Sequence, residues 1–163
     1  MHLARGPAGR GRGRFSCRVR VKEMGELNLG TTHLSDEALV EEFESCRLPT
    51  ENFHHADHIR LAWIYLGRMT EPAAALRIEQ SIRRYAAHNN IPHLYHQTIT
   101  LAWMRLVSAA VRATPPGSEF TAFASRHEEL FDVHRLKTYY SKEVLESPRA
   151  RAEWVEPDLR QLP

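Results

Sequence analysis

The segment Phe53-His54-His55-Ala56-Asp57-His58 places three imidazoles within a few residues of one another. On a helix, His55 and His58 form an i, i+3 pair and His54 and His58 an i, i+4 pair, and either can direct two rings at one point. At about 100° per residue, His58 falls near the centre of an apolar stripe made by Ala62, Tyr65 and Met69, with His55 and His54 flanking it on opposite sides. A further imidazole, His96, shares a helical face with Ile99, Thr100, Trp103 and Val107. Zinc and the neighbouring borderline metals accept imidazole nitrogen readily, and three protein ligands beside one open position form a catalytic pattern. The histidines therefore point to a site for one divalent metal ion, zinc or iron, between two helices. A water in the open position would be activated for hydrolysis, or an iron there would bind oxygen; the residues do not choose between them.

Two other readings use the same residues. In the first, the histidines together with Trp63, Tyr65 and Trp103 line a metal-free pocket for a small molecule. In the second, the chain is a protein-interaction module working through an acidic surface. A histidine on an apolar face is also commonly a core residue bonded to a carbonyl or hydroxyl, or a polar cap at a helix N-terminus.

The elements that must hold these residues read as helices throughout. Ser35 is a good N-cap for a first helix, Asp36 and Glu37 suit its positive end, and Leu34 can staple onto Leu39. Leu39, Val40, Phe43 and Cys46 follow helical spacing, and Pro49 marks a break. The second helix is expected from about Asn52 or Phe53 to Met69, with Asp57, Arg60 and Arg68 on or near its outer side. A third opens with Pro72, carries Leu76, Ile78, Ile82 and Tyr85, and ends near His88-Asn89-Asn90. A fourth spans about Tyr95 to Ala113 and is stopped by Thr114-Pro115-Pro116-Gly117. A fifth, capped by Ser118, extends to about Phe131. Ser141 and Ser147 predict two brief helices over 142–146 and 148–154, after which Trp154–Leu159 packs back on the bundle. No alternating Val/Ile/Thr run signals a sheet. The fold class is all-α: a single-domain bundle of about five main helices with short C-terminal ones, spanning 34–163.

At 163 residues, with 42 % hydrophobic and 26 % charged side chains, the chain suits one domain with a real core. Its net charge of +2 is unevenly placed: residues 1–23 carry +6 and the remainder −4. The body thus has no electrostatic footprint for a polyanion, and nucleic acid is expected, if at all, only through the 1–23 arm. Residues 1–30 are rich in Arg and Gly without apolar periodicity, which predicts disorder and a dispensable segment before a functional start at Met24. No apolar run is long enough to span a bilayer, and the start lacks the apolar stretch of a signal peptide. Two cysteines make neither a disulfide framework nor a thiolate zinc site, so a cytoplasmic location is expected. There is no phosphate loop, hence no nucleotide cofactor is expected, and neither His-Glu-x-x-His nor Gly-x-Ser-x-Gly occurs. Nothing in the sequence sets the oligomeric state.

Phe53-x-His55-x-x-His58-Ile-Arg-Leu-Ala-Trp63, Tyr95-His96-x-Thr98-Ile-Thr100, Tyr139-Tyr140-Ser141 and Trp154–Leu159 together resemble a family of small bacterial all-helical proteins of unknown function. The resemblance covers roughly residues 34–163. Its signature, Phe-x-His-x-x-His followed by Tyr-His-x-Thr, implies His55, His58 and His96 as the metal ligands rather than His54. Read from their positions on the two helices, His54, Trp63, Tyr65, Tyr95, Thr100 and Trp103 are expected around these ligands, orienting the rings or lining a pocket.

Overall fold

A computed structural model describes residues 31–163. The expectations for residues 1–30, including the start at Met24, lie outside the described residues. The elements are helices α1 (Asp36–Glu44), α2 (His55–Arg68), α3 (Glu71–His88), α4 (Gln97–Arg112), α5 (Phe120–Arg126), α6 (Lys142–Leu145) and α7 (Pro148–Ala152). Short 3₁₀ turns occupy Thr50–Asn52, Pro92–Leu94, Glu128–Phe131 and Arg135–Thr138. The described residues contain no strand, and none of their helices is long and apolar enough to cross a membrane. The protein is an all-α bundle, as its periodicity predicts.

The middle of the bundle is α4, which packs on α2, α3 and α7. It is buried over more of its girth than a single stripe predicts. Ala102, Met104, Leu106, Val107 and Ala110 are buried, while Ile99 and Trp103 are only half-buried. A helix covered by neighbours on several sides cannot show one clean face in its sequence.

Local chemistry explains where the helices begin and end. The Ser35 hydroxyl accepts the Ala38 N–H at 3.2 Å and starts α1 as expected. Past its end Cys46 lies at φ 59°, and the Arg47 N–H reaches back to the Glu42 carbonyl at 2.9 Å. Asn90, at φ 60°, plays the same part after α3, with the Ile91 N–H on the Ala86 carbonyl at 2.9 Å. Both ends are left-handed C-caps that reverse the chain sharply. The second of them delivers the chain into Pro92–Leu94.

α5 is shorter than expected. The Ser118 hydroxyl donates to the Pro115 carbonyl at 2.7 Å, which removes it as a cap, and the helix opens after Glu119. It breaks at His127, and the chain continues as the 3₁₀ turn Glu128–Phe131. Ser141 and Ser147 cap α6 and α7 as predicted, accepting the N–H groups of Val144 and Ala150. The end does fold back. Thr98, fully buried on α4, donates to the Glu153 carbonyl at 2.7 Å and accepts the Val155 N–H at 3.0 Å.

Two residues expected on the outer side of the second helix are in fact buried. Asp57 has no exposed surface and Arg60 is 9 % exposed, because residues 31–34 lie across that side. The Asp57 carboxylate accepts the Thr31 hydroxyl and, at 2.8 Å, the backbone N–H of His54. Arg60 pairs with Asp36 at 2.6 Å and donates to the carbonyls of Thr31 and Leu34. Of the apolar residues that α3 carries, Leu76 is 55 % exposed.

Hydrogen bonds to a buried charge are worth about 1.5–3 kcal/mol each, so Asp57→Ala is expected to destabilise the fold by about 3 kcal/mol. Thr31→Val, which removes one partner and leaves the other, should lose about half as much, about 1.5 kcal/mol. Urea unfolding of the two variants checks both the size and the order; an Asp57→Ala loss no larger than that of Thr31→Val would contradict this account.

Candidate functional site: a histidine-lined cavity between α2, α3 and α4

The start of α2 sets the phase of the histidines. Asp57, at the third position of the helix, holds the N–H of His54 and so pins the cap there, two residues later than periodicity alone suggests. Phe53 consequently stands outside the helix. Its ring lies against Phe43 at 4.8 Å, Tyr85 at 5.1 Å and His58 at 4.1 Å. His55 and His58 then fall on the side of α2 that faces α3 and α4, where a cavity of about 340 Å³ opens. Ile78 and Ile82 of α3 and Ile99, Trp103 and Met104 of α4 supply most of its apolar wall. His54 and Leu94 are the exposed members of the lining and mark its mouth.

The structure gathers His54, His55, His58, His96, Tyr95, Thr100 and Trp103 around this one cavity. Trp63 and Tyr65 are not among them. Trp63 follows His58 by five residues, about 140° around the helix, and its ring packs 5.4 Å from Phe120. Tyr65 shares the azimuth of His58 but lies two turns along, about 10 Å away. It is buried and donates its hydroxyl to Glu44 at 2.8 Å. Among the residues that sequence reasoning did not single out as pocket, Ile78 and Ile82 had a readable signal, their i, i+4 spacing. The carbonyls that hold the histidines had none.

Those carbonyls decide what each ring can do. His55 Nε2 lies 2.8 Å from the Leu130 carbonyl, which can only accept, so this nitrogen carries the proton and Nδ1 keeps a lone pair. Its ring also packs 4.5 Å from that of Trp103. His96 is the N-cap of α4. Its Nε2–H donates to the Leu145 carbonyl at 2.8 Å, and Nδ1 accepts the Ile99 N–H at 3.3 Å. Both nitrogens of His96 are therefore engaged. Tyr95 is engaged too, donating to the Gln97 side chain at 2.6 Å. His58 differs. Among the described residues its ring has no hydrogen-bond partner, although its surroundings are apolar and aromatic.

Of the three histidines expected to share one ion, then, two retain a nitrogen for it. Among the described residues no group of three His, Cys, Asp or Glu side chains is disposed to hold a metal. His33, His88, His93 and His134 are exposed, and His127 is half-buried, 2.8 Å from Thr114.

Burial lowers the affinity of all three cavity histidines for a proton. It pushes His58 down to about 3, with repulsion from His55 adding to it. It also lowers His55 and His96, against the opposing pull of the Leu130 and Leu145 carbonyls. The rings are neutral at pH 7, so each carries one N–H and one lone pair, and only His58 has both of them free of a partner among the described residues.

No family model matches the chain, and no curated protein or solved structure is significantly similar to it.

Because the folded chain protonates His58 far less readily than the unfolded one, the stability tied to the neutral ring is complete above pH 6.5. It is lost as the pH falls from there toward 3. In urea unfolding between about pH 6 and 5, His58→Gln should flatten the fall in stability by about 1.4 kcal/mol per pH unit. The lesser shifts of His55 and His96 would leave a shallower slope. A variant whose slope equals that of the parent would show that His58 titrates normally in the fold.

Proposed function

We propose that the protein binds a small organic molecule in the cavity between α2, α3 and α4. One observation carries this reading: His58 presents neutral ring nitrogens without a partner among the described residues, in a cavity otherwise lined mainly by apolar side chains. A half-buried polar group that faces a cavity takes its hydrogen bonds from whatever fills that cavity, and leaving one unmade costs about 1–3 kcal/mol. A ligand with a complementary group would recover that loss. A concave apolar site with a few convergent polar groups is the usual form of a small-molecule pocket. The family signature noted in the sequence is compatible with this reading, since Phe53, His55, His58, Tyr95 and His96 all line the cavity.

An NMR screen of uncharged and charged fragments tests it. Hits should move the imidazole resonances of His55 and His58 and the indole resonance of Trp103. They should be lost in Ala62→Phe, which fills the cavity from the α2 wall. Hits that leave these resonances unmoved, or that survive Ala62→Phe, would count against the pocket.

A second reading, a divalent metal ion such as zinc or iron, is favoured by His55. Its Nε2–H on a backbone carbonyl is the arrangement that orients a metal-binding imidazole, and it leaves Nδ1 for the ion. His55 and His58 would be the ligands, with His96 excluded by its two hydrogen bonds. Protein purified without a histidine tag would then contain near-stoichiometric metal, its melting temperature would fall on chelation, and His58→Asn would abolish both. Metal at background level, with no thermal shift on adding zinc or iron, would leave the organic-ligand reading alone.

A further inference from the structure

The lining of the cavity also bears on the charge of what it holds. No Asp, Glu, Lys or Arg is among the lining residues. The basic side chains nearest its polar end are turned to other partners. Arg83 donates to the Gln97 side chain and lies over the Tyr95 ring at 4.3 Å. Arg151 donates to the carbonyls of His93 and Tyr95 at 2.8 and 3.0 Å. On the acidic side, Asp132, which acts on His55 from outside the lining, accepts the His134 N–H at 2.9 Å. An ion brought into such a space would lose its hydration without gaining a counter-charge, a penalty of several kcal/mol.

The hydrogen-bonding groups left over are specific. His55 offers the lone pair of Nδ1, since its N–H is held by Leu130. His58 offers one N–H and one lone pair. The rings of Phe53 and Trp103, packed against those same histidines, bring flat apolar surface to the polar spot.

On the pocket reading above, we infer that the ligand is an uncharged, ring-bearing molecule with a hydroxyl or N–H donor, which the His55–His58 pair selects against both anions and cations. The mouth at His54 and Leu94 adds no fixed opposite charge to the lining.

Four probes of one size and shape separate the terms: benzyl alcohol, benzoate, benzylammonium and toluene, titrated at neutral pH and followed at the His58 ring and the Trp103 indole. For molecules this small, binding of benzyl alcohol with Kd on the order of a millimolar is expected. Benzoate and benzylammonium should bind at least about tenfold more weakly, and toluene should fall between. In His58→Gln the advantage of benzyl alcohol over toluene should shrink while toluene binding persists. Benzoate or benzylammonium binding as tightly as benzyl alcohol, with the same resonances shifted, would overturn the charge selection and leave the pocket standing. Toluene matching benzyl alcohol in the parent chain would overturn the role given to the histidine pair. Silence from all four probes, together with no fragment from the wider screen reaching these resonances, would overturn the inference and the pocket with it.

Discussion

The carboxylate of Asp57 is the constraint on which the rest of the site depends. Fully buried, it joins the Thr31 hydroxyl to the backbone N–H of His54 and so fixes the residue at which α2 begins. A helix that began one residue earlier or later would leave this carboxylate without its backbone donor. The interaction also fastens residues 31–34 across α2, where Arg60 completes the seam through Asp36 and two carbonyls. With the cap in place, His55 and His58 have no freedom of phase; they face α3 and α4 because they stand one and four residues of right-handed helix past it.

Much of this order can be read in the chain beforehand. Ser35, Ser141, Ser147 and the Pro-rich stop after α4 mark boundaries through interactions confined to a few residues, and these boundaries hold. What could not be read depends on distant partners. Asp57 and Arg60 have the composition of an exposed face, and only the strand of chain laid over them makes them interior. Trp63 and Tyr65 are aromatic, near the histidines and on the same helix, yet azimuth removes one from the cavity and axial distance the other. The division of labour among the histidines was hidden for the same reason, since it is set by the carbonyls of Leu130 and Leu145, which belong to no pattern of side chains.

The three cavity histidines illustrate how one residue type takes different tasks from its surroundings. His96 has a backbone group on each nitrogen and serves the helix it caps. His55 has one nitrogen tied and thereby a defined tautomer, which turns the other into a fixed acceptor. His58 is held by ring packing on Phe53. Its orientation is constrained while its hydrogen-bonding capacity is not. A cavity built from these three is rigid on one side and chemically open on another, which is the combination that recognition requires.

The return of the C-terminal segment to α4 has a consequence for how the chain matures. The N-terminal end of α4 is completed from far along the sequence: His96 by Leu145, and Thr98 by Glu153 and Val155. A chain emerging from the ribosome N-terminus first has α2, α3 and α4 in hand long before those partners are free. During that interval the proton-bearing nitrogen of His96 and the hydroxyl of Thr98 have only water to bond, and one wall of the cavity is unsupported. The cavity wall that α4 provides is therefore completed only once residues 145–155, which follow it in the chain, are free to close over its N-terminal end.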